Sequence, residues 1–267
     1  MDIEITSTQN PKVKQWAQLL EKSGREKYNQ FLIEGVHLIE EAIQADALIH
    51  TIVYRLDGSK PHDLYQATRD KSMSWVGVSP TIFAKCTDTH SPQHVFAIVE
   101  KPNFTIEPFL ERDQHLVIVV DGIQDPGNLG TIIRSADAVG ASGIVLGQGT
   151  VDVFNPKTIR STMGSIFHVP IIEVNLTELL LRVKDKGIQF VSTSLQATQT
   201  CYEVDYRKPT WFIVGNEARG VSRSVALHAD IEVIIPMPGQ AESLNVAMAT
   251  TVLLFEANRQ RITSRKA

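Results

Sequence analysis

From His115 onward, short apolar runs alternate with segments of helical periodicity, and this alternation limits the fold more than any other feature of the chain. "HLVIVVDGI" is continuous and apolar, the pattern of a strand buried on both faces, and "GIVLG", "QFVSTS", "TWFIVGN" and "IEVIIPM" are further strand candidates. Between them, "NLGTIIRSADAVG" carries Ile132, Ile133, Ala136 and Val139 on one side, with Gly140 as its stop. In "FNPKTIRSTMG", Asn155 suits a helix cap and Pro156 the first helical position. "LNVAMATTVLLFEANRQR" is a long final helix. Strand and helix in alternation predict an α/β fold with a mainly parallel sheet covered on both faces.

The first hundred residues predict a smaller α/β unit. "NPKVKQWAQLLEKSGREKYN" places Val13, Trp16, Leu19 and Leu20 at helical spacing and leaves its lysines outside. "QFLIEG", "LIHTIVYR" and "HVFAIVE" are strand candidates, and "VHLIEEAIQA" is a helix. "KPNFTIEPFLERDQ" breaks the periodicity with two prolines, so the expected division is residues 1–105, a linker at 106–114, and residues 115–267.

The net charge of −4 excludes a uniformly basic coat but not a local patch. Two basic clusters exist, Lys12, Lys14, Lys22, Arg25 and Lys27 near the start, and Arg259, Arg261, Arg265 and Lys266 at the end. Each is by itself a solvated face or a tail. Two cysteines outside any CxxC pair fit a reducing compartment. No apolar run approaches the roughly 20 residues of a membrane span, and "MDIEITSTQNPKVK" has no signal-peptide pattern, so a cytoplasmic location is expected.

Three stretches put flexible and polar residues where a buried strand ends: "DPGNLGTIIR", "GNEARG" and "IPMPGQAESLN". In an open α/β sheet such loops converge on a ligand, although any one of them is equally a plain turn. "IVGNEARGVS" spaces its glycines like a phosphate-binding loop, but Val221 stands where the lysine belongs and Glu217 would repel phosphate oxygens. "GQGT" at 147–150 lacks the third glycine of a dinucleotide fingerprint. Cys86, His90 and His94 have a metal-like spacing, but Pro92 breaks the helix that would align them, and no metal site is expected.

The three loop stretches, extended to "DPGNLGTIIRSADAVGASGIVL", "FIVGNEARGVS" and "IPMPGQAESLNVAMATTVLLFE", resemble the three motifs of the SpoU, or TrmH-like, branch of the SPOUT RNA methyltransferases. "FLIEGVHLIEEAI" is similar to that family's substrate-binding domain, an L30e-like α/β fold akin to a ribosomal RNA-binding protein. The resemblance implies a C-terminal trefoil knot, S-adenosylmethionine as cofactor and a homodimer. It also implies methylation of a ribose 2′-oxygen in structured RNA, ribosomal RNA first and transfer RNA second. By the same resemblance Gly215, Asn216, Gly220, Ile235 and Leu244 hold the cofactor. Arg134, Asn128, Glu217, Ser243 and Asn245 form the catalytic set.

Arg134 is implied as base for the 2′-hydroxyl, or equally as a phosphate clamp that stabilises the developing alkoxide, since a guanidinium stays protonated in most proteins. Asn128 positions that arginine or the RNA, or caps its helix. Glu217 fixes Arg134 or the ribose. Ser243 caps the last helix or positions substrate. Ala247, Ala249, Thr250 and Thr251 pack that helix closely, within the chain or against a partner. The alternatives are a non-catalytic RNA-binding relative and a nucleotide-binding oxidoreductase.

Overall fold

The computed structural model describes residues 3–58, 60–69, 73–88, 93–111 and 115–264. They pack as two compact units, residues 1–102 with 152–167, and residues 103–151 with 168–267. The chain therefore leaves the second unit after Val151 and returns to it at His168.

The first unit runs β1 (Ile3–Ile5), α1 (Pro11–Gln18), α2 (Lys22–Tyr28), β2 (Gln30–Glu34), α3 (Val36–Gln44), β3 (Ile49–Arg55), α4 (His62–Thr68), β4 (Ser74–Val78), α5 (Pro80–Cys86) and β5 (Val95–Glu100). Its sheet has the order β1-β4-β3-β5-β2, parallel across the first three strands and antiparallel at β5. The single helix expected from residue 10 to 29 is two helices. A Cβ at Gly24 would lie 2.0 Å from the Gln18 carbonyl oxygen, so the second helix turns back against the end of the first through a glycine that tolerates the contact. Val13, Trp16 and Leu19 are buried as the spacing predicts.

The second unit contains α6 (Glu107–Leu110), β6 (Leu116–Asp121), α7 (Pro126–Ala138) and β7 (Gly143–Leu146). The chain then joins the first unit with α8 (Pro156–Thr162), started by Asn155 as expected, whose Oδ1 accepts from Lys157 N. It returns with β8 (Ile171–Glu173), α9 (Leu176–Val183), β9 (Gln189–Thr193), β10 (Thr210–Gly215), α10 (Arg223–Ala226), β11 (Ile231–Val233) and α11 (Val246–Ser264). All pairings in the six-stranded sheet, ordered β11-β9-β10-β6-β7-β8, are parallel. Its core includes Val117, Val119, Ile213 and Trp211, as the continuous apolar runs require.

The loop that visits the first unit is anchored by a buried charge. Arg25 is 3% exposed, donates from Nε and Nη2 to Asp152 Oδ2 at 2.9 and 2.6 Å, and spends Nη1 on the Leu19 and Leu20 carbonyls. Removing one member of such a pair costs about 3–5 kcal/mol, because the other stays buried and uncompensated. Arg25 thus leaves the N-terminal basic cluster, while Lys12, Lys14, Lys22 and Lys27 are exposed. The C-terminal cluster is also spent internally: Arg259 pairs with Glu256, and Arg261 donates to the Tyr206 and Lys208 carbonyls. Arg265 and Lys266 lie outside the described residues, as do His90, Pro92 and residues 112–114 of the expected linker. Cys86 is fully buried, and desolvation pushes its thiol up to about 11.

Candidate active site

Gly215 pairs with Asp121 across β10 and β6, so the loops that follow these two strands emerge side by side. The loop after β10 explains why its glycine spacing is not a phosphate cradle. Asn216 and Gly220 exchange backbone hydrogen bonds at 2.9 Å in both directions, and Asn216 Oδ1 accepts from the N–H groups of Ala218 and Arg219. The amides that a phosphate would need are already satisfied within the loop. The glycines are sterically required: a Cβ on Gly215 would sit 2.1 Å from the Gly220 carbonyl carbon, and Gly220 has φ +67°.

Glu217, at the tip of this loop, ties it to the loop after β6. Oε1 accepts from Asp125 N at 3.1 Å and Asn128 Nδ2 at 2.9 Å, and Oε2 accepts from Gln124 N at 3.2 Å. Burial opposes its charge, but these hydrogen bonds outweigh burial and hold the carboxyl below its ordinary range. It is therefore an anion at neutral pH. Asn216 Nδ2 adds a second tie, to the Gly122 carbonyl at 2.8 Å.

The third loop joins through Asn245, whose Nδ2 donates to Asn128 Oδ1 at 2.9 Å. Asn128 is therefore held from both ends of its amide, which fixes its orientation. A continuous chain Glu217–Asn128–Asn245 links all three stretches singled out in the sequence. Two cap expectations change. Asp125 caps α7 by accepting from Asn128 N at 2.8 Å, so Asn128 is not the cap. Asn245 caps α11 by accepting from Ala247 N and Met248 N, so Ser243 is not.

Arg134 stands apart. It is exposed on α7, and among the described residues no hydrogen bond or ion pair engages it, so Glu217 holds Asn128 and two backbone amides instead of Arg134. Ser243 is likewise exposed and unbonded among the described residues. Leu244 is 40% exposed and Ile235 half-buried, which leaves apolar surface on the stretch that follows β11. Such apolar surface fits an adenosyl group, whose ring needs apolar contact on its faces. The small residues of α11 face inward: Ala247 and Thr250 are buried, and Thr251 Oγ1 bonds Ser135 Oγ of α7 at 2.7 Å.

A cavity of about 410 Å³ opens beside the same junction, walled by Gln124, Gln148, Thr177, Asn216 and Arg219 among others. Sequence reasoning set Gln148 aside with "GQGT" as a failed dinucleotide fingerprint, and nothing in the local pattern marks Thr177.

The family model described as SpoU rRNA Methylase family matches residues 115–255, and one described as MRM3-like substrate binding domain matches residues 10–97. The chain is 38% identical over 252 residues to the 23S rRNA (guanosine(2553)-2′-O)-methyltransferase RlmP of Bacillus subtilis, covering 94% of this chain and 98% of that protein. It is 33% identical to the 23S rRNA (uridine(2479)-2′-O)-methyltransferase of Streptomyces viridochromogenes, covering 98% and 94%. The crystal structure of the SpoU methyltransferase AviRb from Streptomyces viridochromogenes with AdoMet superposes with a TM-score of 0.88 at 31% identity, covering 96% of this chain and 99% of that one.

Fold, junction and relatives together define an S-adenosylmethionine-dependent RNA methyltransferase. The chain belongs to the SpoU rRNA methylase family.

Proposed function

We propose that the protein methylates a ribose 2′-oxygen of 23S-type ribosomal RNA, with transfer RNA the second candidate. The Glu217–Asn128–Asn245 chain carries this reading, because it joins the three motif loops into one preorganised site. S-Adenosylmethionine supplies an electrophilic methyl group on a sulfonium when bound. Gly215, Asn216, Gly220, Ile235 and Leu244 hold it through backbone groups and apolar side chains. Asn128 presents its amide to the acceptor ribose in the one orientation its two partners allow. Arg134, without a partner among the described residues, meets the RNA as a cation, clamps the adjacent phosphate and stabilises the 2′-oxygen as its proton passes to solvent and its new bond to the methyl carbon replaces the carbon–sulfur bond, the neutral thioether leaving. Ser243 positions the substrate. Residues 1–105 select the RNA with Lys12, Lys14, Lys22 and Lys27.

Three further features belong to the same reading. Residues 115–267 form a trefoil knot; pulled from both ends, the unfolded chain reaches a contour length short of that for a free chain of 267 residues, and full length refutes it. The active species is a homodimer in the cytoplasm. Met248, Phe255 and Ile262 are 52%, 49% and 48% exposed at seven-residue intervals on α11, an apolar stripe that a second copy covers. Phe255→Glu yields monomers in sedimentation; a monomeric parent protein rejects the dimer.

The central test is transfer of labelled methyl from S-adenosylmethionine to unmodified ribosomal and transfer RNA in separate reactions, followed by digestion to nucleosides. Label appears in a 2′-O-methyl nucleoside of ribosomal RNA. Label in a base, or none at all while the cofactor binds, refutes the reading.

A further inference from the structure

We propose that the cavity beside the junction receives an unpaired nucleobase of the RNA substrate, at or next to the methyl-acceptor nucleotide. This deepens the reading above and rests on it. The cavity lies beyond the carboxyl ends of β10, β6 and β7 and the start of α9, in the position where open parallel sheets take ligands. At about 410 Å³ it has the size of a small-molecule site. It shares walls with the active site: Gln124 donates its backbone N–H to Glu217, and Asn216 directly precedes that residue.

The chemistry of the walls selects the occupant. Gln124, Gln148 and Thr177 line the cavity, and their side chains make no hydrogen bond among the described residues. Amide side chains offer a donor and an acceptor together, the complement of a nucleobase edge, and Leu176 and Val225 supply apolar surface for its faces. A phosphate is disfavoured, because the Asp121 carboxylate stands in the wall and Arg219 is the one cation there. Arg219 suits instead the backbone phosphate that enters with the base. Of the residues assigned to the methyl donor, Asn216 and Gly220 form a shared wall with the cavity, whereas Ile235 and Leu244 do not line it, and Ile235 follows β11, on the far flank of β10 from β6, β7 and β8. The loop from Gly215 to Gly220 thus stands between a cofactor side and a base side.

The test compares the full-length protein with Thr177→Phe, which fills the cavity, and Gln148→Ala, which removes a polar group at an exposed position with little risk to folding. Calorimetry measures S-adenosylmethionine affinity, and labelled transfer to a 23S ribosomal RNA transcript gives KM and kcat. Thr177→Phe raises the KM for RNA about tenfold or more, Gln148→Ala raises it about threefold to tenfold, and cofactor affinity stays within about twofold in both. RNA kinetics equal to the parent in both variants overturn the inference, as does loss of cofactor affinity in both, which hands the cavity to the methyl donor. Where Thr177→Phe fails to fold, Gln148→Ala decides alone. A parent protein that binds cofactor but methylates no RNA sinks the proposed function first, and the inference with it. Transcripts made abasic at the acceptor or at either neighbour identify the base: at the position the cavity reads, parent and variant become equal.

Discussion

Two regions of the catalytic unit are built on opposite plans. At the junction of the three loops, Glu217, Asn128 and Asn245 use nearly all their polar groups on one another and on nearby backbone. On the outer face of α7, Arg134 is exposed with no partner among the described residues, and Ser243 is in the same condition. The first region is preorganised and needs no substrate to hold its shape. The second leaves its polar groups uncommitted, and under the proposed function these are the groups that meet the RNA. Under the proposed function, a site divided this way would keep the reacting atoms aligned while leaving its charge uncommitted until the polyanion arrives.

The comparison breaks most sharply at Arg134. Arg134→Ala lowers the transfer rate about 100- to 1000-fold, as loss of a donor to a developing oxyanion does elsewhere, while S-adenosylmethionine affinity by calorimetry stays at the parent value. A variant that loses cofactor affinity as well places the arginine in the junction and erases the contrast.

Glu217→Gln attacks the other region. It replaces an anion that accepts three hydrogen bonds with an amide that presents a donor to N–H groups, at a cost of about 1.5–3 kcal/mol. Thermal unfolding moves down and both cofactor binding and transfer weaken together. A parent-like melting curve with transfer alone abolished makes Glu217 a chemical participant instead of a tie.

Gly215→Ala tests the steric side of the junction. Its methyl would sit 2.1 Å from the Gly220 carbonyl carbon, so the loop must shift, with about 1–3 kcal/mol lost and cofactor affinity reduced. Normal affinity in a stable variant shows that the close approach has no bearing on binding.

The smallest effect is in pH. The folded carboxyl of Glu217 lies below its ordinary value of about 4.3, so its contribution is present above that pH and is lost as pH falls through the folded value. Parent stability therefore falls more steeply below about pH 4 than that of Glu217→Gln, in thermal melts across an acid series. Identical slopes leave the hydrogen bonds at the tip without thermodynamic weight.

Much of the architecture was legible before folding. The strand candidates became β6, β7, β9, β10 and β11, and the segments expected as helices from Asn128, Pro156 and Leu244 are helical, the last from Val246, because their spacing and cap residues act within a few positions of each other. The short β1, β4 and β8 were not anticipated, since three to five residues carry too little periodicity to stand out. The helix expected across residues 10–29 divided where Gly24 allows the chain to fold back, a contact between positions that pattern treats as one element.

Of the candidate site, the sequence alone determined which three loops stand out and which residue types they present, because motif spacing is a local property, and the structure joins those loops by hydrogen bonds. Tertiary structure decided what each side chain does. Asn128 is a strut between Glu217 and Asn245 and not a cap, because its partners lie 89 and 117 positions away. Arg25 left the basic surface for Asp152, 127 positions on, where burial makes pairing obligatory. The cavity draws its walls from four separate stretches of chain, so no window of sequence contains it. Local propensity acts over a turn of helix or a strand, whereas hydrogen-bond satisfaction and enclosure depend on which distant segments the sheet order brings together.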